Sequence, residues 1–269
     1  PLPPYGILID ALLGTGVSRP LEGYWAGFIN YLSRYQGVKV AIDLPSGLQA
    51  DKITIGTTFC VDYTFSFELP KLAFMLPENE ARVGAWTFAS IGLDRDFIER
   101  AETPFHYLTL NDLTGLLKLR ARHAHKGQFG HTLLIAGSQG MMGAALLSGR
   151  AALRSGTGLL TIHAPSCGYS ILQMGLPEAM VSSDRHQFNF SELPEINKYT
   201  AIGVGCGLGN KDFSVRGVDE LLGAIGQKPL VLDADALNII AQQNWQTRIS
   251  RGAILSPHPK EFARLFGTA

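Results

Sequence analysis

The chain has 269 residues, and Lys+Arg equals Asp+Glu at 23 each, so it carries no net formal charge. That balance gives no global attraction to nucleic acid or to an anionic membrane. The hydrophobic fraction of 46% is enough for a real core, and the longest apolar stretches fall far short of the ~20 residues a bilayer span needs.

Tyr5-Gly6-Ile7-Leu8-Ile9-Asp10 reads as a buried strand feeding the turn Ala11 to Gly16. Residues 24–35 have helical spacing, with Trp25, Phe28, Ile29 and Leu32 three and four apart, and Gly37 is expected to end that helix. Val38 to Asp43 is a second strand, followed by Leu44-Pro45-Ser46-Gly47, so the two strands and their helix form a βαβ unit of a parallel sheet. Cys60–Phe67 and Trp86–Ile91 are further strand candidates, and 110–119 can form a short helix. A domain boundary is expected near 100–120, dividing residues 1–105 from 106–269.

The second unit opens at His123-Ala124-His125-Lys126-Gly127. The strand His131–Ala136 runs into Gly137-Ser138-Gln139-Gly140, and an Ala/Leu-rich helix follows over 143–155. Leu159–Ala164 is the next strand. Ala201–Val204 enters Gly205-Cys206-Gly207-Leu208-Gly209, and a helix spans 215–224. Leu230–Asp233 and Ala253–Ser256 are the last strands, the latter before Pro257-His258-Pro259 and a final helix. Repeated strand–helix alternation makes this a doubly wound α/β unit. The widely spaced Cys60, Cys167 and Cys206 include no Cys-x-x-Cys pair and are expected to be buried thiols in a reducing compartment.

Ligands of open parallel sheets bind at the carboxyl ends of strands. Asp10, Asp43, Ser46, Gly137-Ser138, Gly205 to Gly209, Asp233, Asp235 and His258 all fall at such ends. Asp10 and Asp43 can bind a cation, hold a ribose or move a proton; each can equally cap the turn that follows it. Gly14, Gly16 and Ser46-Gly47 allow a ligand close to the backbone, and turn amides attract phosphate without a lysine. Neither loop is a dinucleotide fingerprint or a Walker sequence. Arg19 and Lys126 are candidate phosphate contacts or ordinary surface residues. His258, between two prolines, is either a ligand contact or a turn residue. The histidines lack zinc spacing, and no Gly-x-Ser-x-Gly elbow is present.

Asp10-Ala11-Leu12-Leu13-Gly14-Thr15-Gly16, Ile42-Asp43-Leu44-Pro45-Ser46-Gly47-Leu48 and Pro70-Lys71-Leu72 resemble the NAD(P)H-hydrate epimerase domain. His125 to His131, Ala136 to Ala144, Ala151 to Leu159, Pro177-Glu178-Ala179-Met180, Leu232 to Asn238 and Pro257-His258-Pro259-Lys260-Glu261 resemble the ADP-dependent NAD(P)H-hydrate dehydratase domain. The order resembles the bacterial bifunctional family that repairs hydrated nicotinamide cofactors. The implied fold is a partial Rossmann-like epimerase domain followed by a ribokinase-like α/β domain, both with largely parallel sheets.

The implied chemistry is interconversion of the R and S hydrates of NADH or NADPH, then ADP-dependent loss of water from the S form. Phosphorylating the hydroxyl on nicotinamide carbon 6 makes it a leaving group that the ring nitrogen can expel. By the same resemblance, Asp10 and Ser46 are potassium ligands, and Gly14, Thr15, Gly16, Val17, Ser18, Arg19 and Pro20 surround the substrate phosphates. Asp43 is the proton-transfer acid, and Ala144, Gly207 and His258 contact the dehydratase substrate. Magnesium accompanies ADP.

Cys206 stands where the family has Pro, and Lys260 where it has Gly. An upstream Asn-Gly-Gly-Asp loop and a downstream Gly-Gly-x-Gly-Asp loop are absent, so the chain reads as a fragment with weak or no activity alone. A cytoplasmic homo-oligomer acting on a small molecule, with no nucleic-acid or membrane partner, is expected. The alternatives are a ribokinase-type small-molecule kinase and an inactive nucleotide-binding fragment.

Overall fold

The computed structural model describes residues 5–116 and 120–267. The chain forms two compact units, Pro1–Lys118 and Leu119–Ala269.

The first unit is built on a four-stranded parallel sheet in chain order: β1 (Ile7–Asp10), β2 (Val38–Ile42), β3 (Tyr63–Phe67) and β4 (Ala85–Ala89). Side chains alternate between the sheet faces with period two. Ala41 lies in one cluster with Ile29 and Leu32 of α1 (Gly23–Leu32), Phe59 and Val61. On the alternate positions, Ile7, Ile9, Tyr63 and Phe65 are exposed. Helix α1 stops at Leu32, short of the expected Gly37, because Ser33 caps it by donating its hydroxyl to the Ile29 carbonyl. Gly37 serves a different purpose: a Cβ there would lie 2.5 Å from the Gly6 carbonyl oxygen and 2.6 Å from the Tyr35 ring. Among the described residues of this unit three short α-helices follow, α2 (Glu80–Val83), α3 (Arg95–Arg100) and α4 (Leu110–Leu116). The last three residues of the expected 110–119 helix lie outside the described residues.

The second unit contains β5 (His131–Ile135), β6 (Leu159–Pro165), β7 (Met180–Asp184), β8 (Ala201–Val204), β9 (Leu230–Leu232) and β10 (Ile254–Leu255). All are parallel, in the order β10-β9-β8-β5-β6-β7. Among the described residues five α-helices accompany them: α5 (Met142–Arg154), α6 (Tyr169–Gly175), α7 (Asp212–Ala224), α8 (Ala234–Gln242) and α9 (Pro259–Phe266). Successive residues of β5 divide between two cores, as expected for a sheet covered on both faces. Leu133 and Ile135 join Val218, Leu221, Ala236, Leu237, Ile240 and Leu265. Leu134 and Ala136 join Met142, Ala145, Leu160, Ile162 and Leu172. Each fully buried leucine or isoleucine contributes roughly 1.5–3 kcal/mol over its exposed state. Helix α5 approaches the sheet through Gly149, where a Cβ would come within 2.8 Å of Ile162 Cδ1 and Leu176 Cδ2.

The strand order contains a reversal. From β5 the chain builds outward through β6 and β7, then returns to the other side of β5 with β8. The crevice at the carboxyl ends of β5 and β8 is therefore a topological switch point, the usual ligand position in open α/β sheets.

Three sequence expectations require amendment. Helix α6 and strand β7 were not anticipated. Strand β7 reads Met-Val-Ser-Ser-Asp and lacks an aliphatic run because it is the sheet edge, bonded among the described residues to β6 alone. The thiols are not uniformly buried: Cys60 is exposed, and Cys167 and Cys206 are part-buried, all three free.

Candidate functional site

The register Asp10↔Ala41 brings the carboxyl ends of β1 and β2 side by side. There Asp10 and Ser46 are both buried and bonded to each other. Ser46 donates its hydroxyl to Asp10 Oδ1 and its amide to Oδ2, each at 2.6 Å. The Leu12 amide also donates to Oδ1, and the Leu13 amide donates to Ser46 Oγ. Among the described residues no cationic side chain pairs with Asp10, although only 2% of it is exposed. A carboxylate removed from water and without a cationic partner favours a bound cation. Its remaining oxygen lone pairs and the oxygen of Ser46 are hard donors of the kind a cation takes.

Asp43 caps the end of β2 with φ +68, a left-handed conformation that is uncommon outside glycine. Its Oδ1 is occupied by Lys71 Nζ at 3.1 Å, the Ser66 hydroxyl and the Phe67 amide. Oδ2 has no hydrogen-bond partner among the described residues and faces Gly14, whose added Cβ would lie 3.9 Å away. Asp43 is thus oriented through one oxygen with the other available. Lys71 was visible in the sequence only as part of Pro70-Lys71-Leu72, and its ion pair with Asp43 emerges from folding.

The glycines of this region separate into two kinds. Gly47 is required by the fold: φ is +95, and a Cβ would strike the Thr57 carbonyl oxygen at 2.4 Å. Gly14 and Gly16 have ordinary φ, and Gly16 meets nothing within 4 Å. Packing within the chain does not account for these two glycines, which leave open backbone beside Asp43. Thr15, Ser18, Arg19 and Pro20 are exposed along the same loop, with Val17 partly covered.

In the second unit the loops after β5 and β8 meet across the switch-point crevice. Ser138 donates its hydroxyl to the Gly207 carbonyl at 2.8 Å, and the Gly137 amide donates to the Cys206 carbonyl at 2.9 Å. Gly207 has φ +69, and a Cβ there would lie 2.9 Å from Ala144 Cβ. Two expected contact residues, Ala144 and Gly207, are therefore neighbours. The Gly140 and Gly207 amides have no hydrogen-bond partner among the described residues, leaving donors for an anion or polar ring.

Asp233 and Asp235 serve the loop's architecture. Asp233 caps α8 by accepting from the Ala234 amide, and Asp235 accepts from the Gly209 amide at 2.8 Å. Burial and the adjacent Asp233 carboxylate push the Cys206 thiol up, so its S–H remains to donate to Asp233 Oδ2. Cys206 is thus a protonated thiol tethered to the cap of α8.

His258 is placed differently. It caps α9, with Nδ1 accepting from the Lys260 amide and its own amide donating to Glu261. Its side chain is 56% exposed, at the end of β10 two strands away from β8. Among the described residues no hydrogen bond or ion pair joins it to Ala144 or Gly207. Lys126, the other candidate phosphate contact, lies in the short 3-10 turn Lys126–Phe129 before β5.

Comparison with known proteins agrees with both halves. Residues 132–269 match the family described as NAD(P)H-hydrate dehydratase, and residues 1–73 match the YjeF-related protein N-terminus. The bifunctional NAD(P)H-hydrate repair enzyme of Moorella thermoacetica is 33% identical over 97% of this chain and 51% of its own length. That of Escherichia coli is 32% identical over 97% of this chain and 49% of its own. The chain thus spans about half the length of the curated relatives it matches. A ribokinase-like superfamily protein from Enterococcus faecalis superposes with TM-score 0.53 at 24% identity, covering 61% of this chain and 59% of its own, a likeness of fold. With over half its length matched and the switch-point loops in place, the chain belongs to the NAD(P)H-hydrate dehydratase family, preceded by a YjeF-related N-terminal module.

Proposed function

We propose that the protein takes part in repair of hydrated nicotinamide cofactors, with an epimerase centre in residues 1–105 and a dehydratase centre in 106–269. The observation that carries this reading is the pairing of two strand-end centres of different chemistry in one chain. One is a buried carboxylate–serine pair beside an oriented acid, the other a glycine crevice at a switch point.

In the first centre, Asp10 and Ser46 would hold a potassium ion, whose charge supports a phosphate-bearing substrate. The loop Gly14 to Pro20 lies beside it. Hydrated carbon 6 is a hemiaminal, so it inverts if its hydroxyl loses a proton while the bond to the ring nitrogen opens to an aldehyde and a protonated nitrogen, and the nitrogen then re-adds to the other face as the oxygen regains a proton. Asp43 Oδ2 is the group for that transfer, because Lys71, Ser66 and the Phe67 amide fix the carboxylate through Oδ1.

In the second centre, Ala144 and Gly207 form the floor on which the hydrated ring rests, with His258 as a further contact reached from β10. Phosphoryl transfer from ADP to the carbon 6 hydroxyl, which gives up its proton, breaks the bond to AMP; the ring nitrogen then expels phosphate from carbon 6, and loss of a proton from carbon 5 forms the ring double bond, returning the cofactor with AMP and phosphate released. Magnesium enters on the ADP phosphates. The chain's contribution is positioning and amide donors, the usual protein share in phosphoryl transfer. A cytoplasmic setting and self-association complete the reading. Among the described residues no helix is long and apolar enough to cross a membrane.

The test is incubation with mixed R and S hydrated NADH, potassium, magnesium and ADP, with both epimers and AMP followed by chromatography. The protein is used as the 269-residue chain and at the full length its gene encodes. Loss of S hydrate with matching AMP supports the reading. Untouched hydrates together with phosphorylation of another hydroxyl compound would replace it with a ribokinase-type kinase.

A further inference from the structure

Strand β7 ends in a buried carboxylate that the proposed chemistry does not use. Asp184 is 2% exposed and has a full set of donors. Oδ1 accepts from the His186 amide at 2.7 Å and the Ser191 hydroxyl at 2.6 Å. Oδ2 accepts from the Ser191 amide at 2.7 Å, the Glu192 amide at 3.2 Å and His163 Nε2 at 3.3 Å. His163, equally buried on β6, also directs Nε2 at the Glu192 carbonyl, so that nitrogen carries the proton, and Nδ1 can accept from Ser182.

Every backbone donor to Asp184 comes from one loop, residues 185–192. Within it, the amides of Phe188 and Asn189 both donate to His186 Nδ1. The loop then reaches out: the Phe188 carbonyl accepts from the Gln139 amide at 2.9 Å, and the His186 and Gln187 carbonyls accept from the amides of Ser166 and Cys167. Gln139 adjoins Ser138, whose hydroxyl holds Gly207. A continuous hydrogen-bonded path therefore runs from Asp184 through Phe188 and Gln139 to the crevice.

We propose that Asp184 is a positioning residue for the dehydratase centre, fixing the 185–192 loop as the wall that registers Gln139 and Ser138 against Gly207. The inference rests on the crevice being the hydrate-binding centre. Asp184 touches no reacting atom; it acts by fixing the backbone of a loop that Phe190, buried in the core against His163, and the ring contact of His186 with Phe213 anchor from the other side. Water could not replace it, because the site is closed to solvent and a neutral amide side chain offers one acceptor oxygen where the carboxylate uses two.

The experiment compares Asp184→Asn and the milder Ser191→Ala with Ile240→Ala, a core variant on α8 that lowers stability while removing none of the hydrogen bonds of this path. Backbone hydrogen exchange at Gln139 and Met141 is measured well below each melting temperature, and hydrate kinetics are measured in the full-length protein. Exchange at Gln139 is expected to rise on the order of tenfold in the first two variants and not in the third. KM for the S hydrate is expected to rise by a similar factor with kcat nearly unchanged, as for loss of uniform binding. Unaltered Gln139 exchange in Ser191→Ala and Asp184→Asn overturns the proposal. So does an altered exchange with an unaltered KM. If Asp184→Asn does not fold, Ser191→Ala decides alone. If the wild type does not turn over the hydrate, the functional reading fails separately, and Gln139 exchange still decides whether Asp184 sets this loop.

Discussion

Gly207 faces Ala144 so closely that a Cβ on the glycine would lie 2.9 Å from the Cβ of Ala144. The pair fixes how tightly the loop after β8 packs on the start of α5, and so how wide the crevice is. Gly207→Ala combines that contact with φ +69. Expected are a stability loss of about 1–3 kcal/mol and a fall in dehydration larger than the fall in folded fraction. Denaturant unfolding alongside AMP release checks both.

Asp43 tests the proposed epimerase centre. Asp43→Asn keeps the shape and a carbonyl oxygen for Lys71 but removes the proton acceptor. Epimerisation is expected to slow by about 10²–10⁴-fold, with dehydration of pure S hydrate unchanged. Lys71→Met is expected to slow epimerisation less, because Ser66 and the Phe67 amide still orient the carboxylate. Chromatographic separation of R and S hydrate reads both.

The Asp10–Ser46 pair predicts a dependence on monovalent cations. Epimerisation is expected to fall when potassium is replaced by a bulky organic cation. In Ser46→Ala the response to added potassium weakens, because one oxygen ligand is gone. The same variant leaves Asp10 with one donor fewer, so thermal stability drops by about 1 kcal/mol. A potassium titration in wild type and variant, read by epimer exchange, checks it. An identical potassium response in the two proteins argues against the assignment.

Asp184 carries a pH signature. Burial alone would raise its carboxyl, but the hydrogen bonds from His163, Ser191 and the His186 amide outweigh that and hold it well below the usual carboxylate range. A depressed folded value means that the stabilisation is complete above the unfolded carboxylate range, about pH 4, and is lost progressively as pH falls below it. The melting-temperature gap between wild type and Asp184→Asn is therefore expected to be constant from pH 7 to about 5 and to narrow below about 4. Thermal unfolding across that range measures it.

Much of this protein was legible before folding was considered. Aliphatic runs ending in Asp10, Asp43, Gly137 and Gly205 mark strands entering loops, because a strand needs apolar side chains to pack and its end must turn; the run before Asp10 reads as a buried strand, yet Ile7 and Ile9 lie exposed on one face of its sheet. The loops of the YjeF-related and dehydratase modules stand out for the same reason: their glycines and acids break the apolar pattern at fixed places. The edge strand β7 and helix α6 escaped, since Met-Val-Ser-Ser-Asp buries too little to show a period.

The amino-acid sequence by itself determined the α/β class, the two modules and the residues at the strand ends, all properties of local pattern. Tertiary structure alone decided which ends meet. It set β8 beside β5 and so placed Gly207 on Ala144, paired Lys71 with Asp43, left His258 two strands out as a helix cap, and turned Asp184 from one acidic residue among many into a buried clamp. Strand order and ion pairing arise from contacts between residues distant in the chain, and no periodicity along it encodes which distant segments will be neighbours.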